Sequence, residues 1–409
     1  MIESIIAGAP AQFVPTDGGH IQRLYAAAHE ILEGYPDRGE LERLELQLIE
    51  AGDEVPLFAH VATKLARSKQ IVRSIEDSVH VSVVFAVYLE NERILRPEEH
   101  EHGEDFMIRK IDQLDWLFGD TANFTWDMFV VDDGCPENSG LIAQEILDRR
   151  YGGDSVHVLF LEDAIRNDSP ATRPMTSTRD SQKGGSVAYG MWSAAQKEHD
   201  NHIILYTDAD LSTHLGQVGL LVEGIVSEGQ VAAIGSRREP TSVVVKTGLR
   251  NTRGKLFIYL WKRLLPLLGE IVDTQCGFKA FRSDRFPALV DDLMEKRFAF
   301  DIELLIRLQQ DSPGRISKVP IAWIDSEAAS TTTAARPYLP MLKSIVKMYR
   351  RYLGEDPTAE GYAQFINGLD DLRWTELLEK IPARIAAADP ASFGDFDEIS
   401  AQDLEALLD

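Results

Sequence analysis

The stretch Ile203-Ile204-Leu205-Tyr206-Thr207-Asp208-Ala209-Asp210 decides how the whole chain is read. Four apolar or aromatic residues, too few for a free helix, run straight into two carboxylates spaced i, i+2. That pattern predicts a buried strand of an α/β sheet ending at its carboxyl edge, where open α/β sheets bind their ligands. Side chains two apart on an extended segment point the same way, so Asp208 and Asp210 can address one hard cation or its water shell together. The competing reading is a loop cap, in which the same carboxylates bond their own backbone. A second triplet, Asp395-Phe396-Asp397, has no apolar run leading into it and reads as solvated tail.

Upstream of this strand the chain alternates apolar runs with helical patterns. His80 to Glu92 predicts a first strand and Trp126 to Val131 a second, which runs into Asp132-Asp133-Gly134-Cys135; Ser155 to Leu161 predicts a third. Helices are expected over Phe106–Phe118 and Glu137–Arg150. Between the first strand and its helix, His100 and His102 alternate with Glu98, Glu99 and Glu101; lacking an apolar frame, they read as a solvated loop and not a metal cluster. A long polar segment, 162–183, is expected to be a functional lid or a mobile loop. It ends in Lys183-Gly184-Gly185-Ser186 before a helix, where free backbone N–H groups and a cation suit phosphate oxygens; a flexible helix entry explains the same residues.

Downstream, Val231 to Gly235 predicts a further strand, leading into Ser236-Arg237-Arg238, so the region from 80 to 235 implies a mainly parallel sheet covered on both faces. The basic, apolar segment 246–268 predicts a helix for the core or acceptor cleft rather than for a membrane interface. Asp273 to Arg282 predicts an extended element. Asp301 and Glu303 open a helix, where helix-dipole capping is the plain explanation for Asp301. An amphipathic basic helix is expected to end near Leu353. The expected organisation is a helical N-terminal extension over 1–78, a catalytic domain over 79–353 with halves at 79–212 and 213–353, and a helical tail over 354–409.

At 409 residues, 44% hydrophobic and 26% charged, the chain is ordinary globular material. A net charge of −24 disfavours nucleic acid as a partner and gives no overall attraction to anionic membranes. Two cysteines imply no disulfide framework and suit a reducing compartment. The first ten residues carry no basic region of a signal peptide, and no apolar run reaches the roughly 18 residues a membrane span needs. A cytoplasmic location is expected, with peripheral contact at the inner face of a membrane as the variant.

Six ordered motifs, Asp132-Asp133-Gly134, Lys183-Gly184-Gly185, Thr207-Asp208-Ala209-Asp210, Gly235-Ser236-Arg237, Asp273-Thr-Gln-Cys-Gly-Phe-Lys-Ala-Phe281 and Phe300-Asp301-Ile302-Glu303, resemble glycosyltransferase family 2 over residues 79–350. Within that family of inverting enzymes the likeness is to dolichyl-phosphate glucosyltransferases and bacterial polyprenyl-phosphate relatives. The resemblance implies a GT-A fold, Rossmann-like, with a mainly parallel sheet flanked by helices. It implies a UDP- or GDP-sugar donor held by Tyr88, Glu90, Asp132 or Asp133, with Lys183 at the diphosphate. Asp208 would lie beside the ribose or a metal-bound water, and Asp210 would ligate Mg²⁺ or Mn²⁺. Arg237, Arg250, Arg253 and Gln275 would meet the acceptor, and Asp301 would be the general base for a hydroxyl acceptor.

Because the chain lacks the membrane helices common among relatives that act on dolichyl phosphate, the expected acceptor is a hydroxyl of a sugar, a small metabolite or a carrier-linked intermediate. The alternatives are a peripheral polyprenyl-phosphate glycosyltransferase, a sugar nucleotidyltransferase, and a noncatalytic nucleotide-sugar-binding protein.

Overall fold

The computed structural model describes residues 1–245, 250–286, 288–325, 337–354, 356–393 and 399–408. Four helices precede the first strand: α1 (Ile2–Ala7), α2 (Gly18–Gly34), α3 (Arg38–Glu50) and α4 (Leu57–Ser74). Asp17 and Asp37 cap α2 and α3 by accepting the backbone N–H groups of His20 and Glu40. Of the residues that sequence spacing places on one face of α3, Leu41, Leu44, Leu48 and Ile49, the three leucines are buried and Ile49 is partly exposed.

The sheet then forms by alternation: β1 (Val79–Val87), α5 (Phe106–Phe118), β2 (Phe124–Asp132), α6 (Ser139–Arg150), β3 (Val156–Phe160), α7 (Leu161–Arg166), α8 (Gly184–Ala195), β4 (His202–Thr207), α9 (Val218–Val226) and β5 (Ala232–Ser236). There follow β6 (Val243–Val245), α10 (Arg250–Leu264), β7 (Phe278–Arg282), α11 (Phe300–Asp311), β8 (Ile316–Pro320) and β9 (Ala322–Ile324). Helices α12 (Tyr338–Tyr352), α13 (Pro357–Gly368), α14 (Asp371–Glu379), α15 (Ala383–Ala387) and α16 (Ala401–Glu405) complete the described chain.

Seven strands lie in the order β3-β2-β1-β4-β7-β5-β8. All pairs are parallel except those of β7, which runs antiparallel to both β4 and β5. This is the GT-A arrangement. Strand β4 sits mid-sheet with all six residues buried. Its period-2 alternation sends Ile203 and Leu205 into the core under α4, α5 and α9, and Ile204 and Tyr206 into the core against α8 and α11.

Three departures from the sequence reading have plain causes. The stretch 162–183 is not one long loop: α7 and two short 3₁₀ turns occupy much of it, Leu161 and Ala164 are buried, and Lys296 holds the Ala171 carbonyl at 2.8 Å. The run Ile316 to Trp323, which reads in sequence as one final strand, divides at Ile321; β8 stays in the large sheet, while β9 pairs with β6 in a second, two-stranded one. The first strand stops at Val87, because Leu89 takes a left-handed conformation (φ 57°) and turns the chain over the sheet edge. By contrast α10 is a core helix, as expected: Leu256, Tyr259, Leu260, Trp261 and Leu264 are almost fully buried.

Candidate active site

The carboxyl ends of β1, β2 and β4 and the loops beside them gather the candidate donor residues. Asp208 and Asp210 leave the end of β4. Asp208 pairs with the Lys183 ammonium. Burial opposes ionisation of this carboxyl, but Lys183 overrides it and holds the group below the ordinary aspartate range. Asp210 accepts the Ser212 N–H at 3.0 Å, so one of its oxygens does close the loop, as the capping reading requires. On the side of β7 the site is kept open by a glycine: a Cβ at Gly277 would lie 2.5 Å from both Asp208 carboxylate oxygens.

Lys183 owes its position to Asp133. That carboxylate accepts the Lys183 backbone N–H at 2.8 Å and the Ser186 hydroxyl at 2.5 Å, pinning the turn that opens α8. Lys183 itself has a φ of 79°. Gly184 follows because no Cβ fits there; one would approach the Arg297 carbonyl to 2.5 Å. Asp132 accepts three backbone N–H groups, from Gly134, Cys135 and Gly140, at 2.7–2.9 Å. Both carboxylates expected at the nucleotide are thus buried and engaged by the fold. Tyr88 is 49% exposed. Glu90 is bound by Arg93 through two 2.7 Å hydrogen bonds.

In the acceptor half, Arg237 gives its backbone N–H and two guanidinium N–H groups to Asp273 at 2.7–2.8 Å, and its guanidinium lies 5.1 Å from the Trp323 ring centre. The Asp273 carboxyl is held far below the usual range: burial resists, and Arg237 prevails. The cation expected to be open to an acceptor is therefore committed to a neighbour. Arg253 is exposed on α10, and the Arg250 side chain lies outside the described residues.

Asp301 lies in the acidic first turn of α11, where its charge favours the helix dipole, and its carboxylate is also held by side chains from outside the helix. Its Oδ1 accepts Gln275 Nε2 at 2.7 Å and its Oδ2 accepts Lys279 Nζ at 3.2 Å. Burial raises its pKa, and Lys279 and Lys183 pull it back.

Two buried lysines that the sequence reading did not single out complete the charge map. Lys110, on α5, donates to the Asp210 carbonyl at 2.8 Å; burial lowers its pKa to about 8, with Asp210 and Asp208 opposing. Lys279 lies under Tyr206 and Asp301. Periodicity marks both merely as polar residues in apolar elements. The local signal for Lys279 is a lysine inside the strand Phe278–Arg282.

Among the described residues, no group of three or more His, Cys, Asp and Glu side chains converges on a metal-sized point. His100 and His102 sit in an outlying turn, as expected. The donor set at Asp208 and Asp210 consists of carboxylates only. It fits a hard divalent ion that completes its shell with diphosphate and water oxygens, beside the space that Gly277 leaves.

Sequence comparison indicates a glycosyltransferase. The chain is similar to dolichyl-phosphate β-glucosyltransferases, being 29% identical to the mouse (Mus musculus) enzyme over 295 residues, which are 70% of this chain and 80% of that one. The Drosophila melanogaster enzyme is also 29% identical, over 293 residues and 78% of its length. Glycosyltransferase AglD of Haloferax volcanii is 27% identical over 198 residues, and there the match spans only 30% of the relative. No protein-family model matches the chain. Among solved structures, glucosyl-3-phosphoglycerate synthase from Mycobacterium tuberculosis, in complex with Mn²⁺, UDP and glucosyl-3-phosphoglycerate, aligns with a TM-score of 0.45 at 17% identity, covering 72% of this chain and 86% of that one. No helix among the described residues is long and apolar enough to cross a membrane.

Proposed function

We propose that the chain transfers a hexose, with inversion, from a nucleoside diphosphate sugar, using Mg²⁺ or Mn²⁺ at Asp208 and Asp210. The observation that carries this reading is the juxtaposition of these carboxylates with Lys183 at one sheet edge. When bound there, the divalent ion would offset the negative charge gathering on the departing nucleoside diphosphate. Lys183 would exchange Asp208 for a phosphate oxygen. Tyr88, exposed at the end of β1, would stack on the base, while Asp132 and Asp133 would act by shaping the turns that hold it, with Glu90 beside them.

The acceptor that the geometry favours is a hydroxyl group. An attacking hydroxyl must lose its proton, and Asp301, whose pKa is raised by burial, is suited to take it. The relatives' names favour a second reading, a polyprenyl phosphate presented at a membrane surface. A phosphate is already anionic and needs no base. Arg253 and Arg250 are the cations proposed to meet an anionic acceptor under either reading.

One experiment tests the donor and then the acceptor. Thermal-shift screening of UDP-, GDP- and dTDP-sugars with Mg²⁺ or Mn²⁺ should show one specific stabilisation, because a ligand of the folded state raises the midpoint by mass action. The selected donor is then offered a panel of sugars, glycerol-type hydroxyls and polyprenyl phosphates, and product is read by mass spectrometry. Binding without nucleoside diphosphate release on any acceptor would mark a sensor and refute the transferase.

A further inference from the structure

Lys279, like Lys110, is a fully buried cation near the site, with a side chain 0% exposed. Its three N–H bonds meet four acceptors: the Tyr206 hydroxyl at 3.0 Å, the Thr274 carbonyl at 2.9 Å, the Cys276 carbonyl at 2.5 Å and Asp301 Oδ2 at 3.2 Å. A lysine needed only to close the 274–276 turn would be satisfied by the two carbonyls and the phenol. The fourth partner is a carboxylate whose other oxygen is held by Gln275, from that same turn. One donor on each oxygen fixes the carboxyl plane as well as its position. Gly277, two residues on from Gln275, lies against Asp208, so a single segment touches both the donor carboxylate and Asp301.

We propose that Lys279 is a positioning residue for Asp301, aided by Gln275: together they fix the orientation of the carboxylate, and Lys279 is its buried counter-charge. This rests on the reading of Asp301 as the proton acceptor. The groups facing Asp301 are Lys279 from β7, Gln275 from the preceding turn, Lys183 from the turn before α8 and the Tyr206 phenol from β4. Lys183 is free to follow a phosphate, which leaves Lys279 as the fixed counter-charge. Without it, a buried carboxylate faces burial alone and takes up a proton.

The test reads Asp301 directly, by carbon-13 NMR of protein labelled at aspartate Cγ, with Asp301→Asn to assign the signal. Lys279→Gln should raise its titration midpoint by about one pH unit or more, Gln275→Leu by less, and Lys279→Arg hardly at all. In parallel, UDP release from UDP-glucose with Mn²⁺, water serving as acceptor, should fall about tenfold at neutral pH in Lys279→Gln and recover in alkali. UDP and Mn²⁺ binding by calorimetry should stay within about twofold, which a general structural collapse would not allow. The half-buried Gln275 site keeps the test available should Lys279→Gln fail to fold. An Asp301 midpoint unchanged in both the Lys279 and Gln275 variants overturns the proposal. Wild-type UDP release by Asp301→Asn overturns the reading of Asp301 as base, and the NMR midpoint then decides the positioning role separately.

Discussion

Lys183 with Asp208, and Lys279 with Asp301, are the same pair of residue types placed in opposite surroundings. In the first the side chains are 28% and 37% exposed; in the second they are 0% and 7%, and in the neighbouring Arg237–Asp273 pair 8% and 6%. A half-exposed pair is screened and gives up its partner at little cost. A buried pair does not, because removing one member strands the other charge in the interior. Under the proposed function, the donor side of the site would thus have a cation and two carboxylates that can change partners, while the charges of the acceptor side are paired and buried. The first would bind by exchange and the second by preorganisation.

The largest effect that would break this contrast is at Asp210. Asp210→Ala removes a carboxylate whose one internal hydrogen bond is to the Ser212 N–H, so the melting temperature should hold. Turnover should fall about a thousandfold, the several kcal/mol that stabilisation of the leaving group supplies. Mn²⁺-dependent UDP binding by calorimetry is the check, and unchanged turnover would take Asp210 out of the site.

Arg237 comes next, and here the contrast predicts a different readout. Arg237→Met strands Asp273 and should cost about 3–5 kcal/mol of stability. Asp273→Asn in the same chain should return much of it, since removing both charges of a buried pair is tolerated far better than removing one. Urea midpoints of the two single variants and the double variant measure this. A stable Arg237→Met protein with a raised KM for an anionic acceptor would instead return Arg237 to the role that its motif suggests.

How much of this could be read in advance follows from the range of each interaction. The strand Ile203–Thr207 and its two carboxylates were legible because burial and alternation are local properties of a sequence. The Lys183-Gly184-Gly185 turn was legible as a helix entry, but Asp133 as its anchor was not, since the partners are 50 residues apart. Lys110 and Lys279 stayed silent for the same reason: a buried lysine is costly unless partnered, and its partners, Asp210 and Asp301, come from other elements. The segment 162–183 misled because its polar composition hides buried anchors, among them Ala164 and Ala171, that fold it against the domain. Asp301 was singled out by motif alone; its place in the first turn of α11 agrees with the capping reading, and its contact with β7 is visible only in the fold.

The smallest effect concerns the opposite, amino edge of the same strands, where a buried histidine stays neutral beside the Asp127–Lys197 ion pair. His80 and His202 face each other across β1 and β4, His199 stacks on His80 with ring centres 3.7 Å apart, and His202 Nε2 bonds Ser82 Oγ at 2.8 Å. Burial, together with His80 and His199, lowers the His202 pKa from 6.5 to about 4, while Asp127 pulls the other way and Lys197 lies on Asp127 at 2.7 Å. A depressed histidine pKa means that the folded protein binds fewer protons than the unfolded chain below pH 6.5. Stability should therefore be intact above that value and fall on acidification toward pH 4, by about 2 kcal/mol near pH 5. Urea unfolding at both ends of this window tests the slope, and His202→Gln should flatten it without touching UDP binding. If the variant keeps the full slope, His202 is not the group that stays neutral, and the two edges differ less than their side chains suggest.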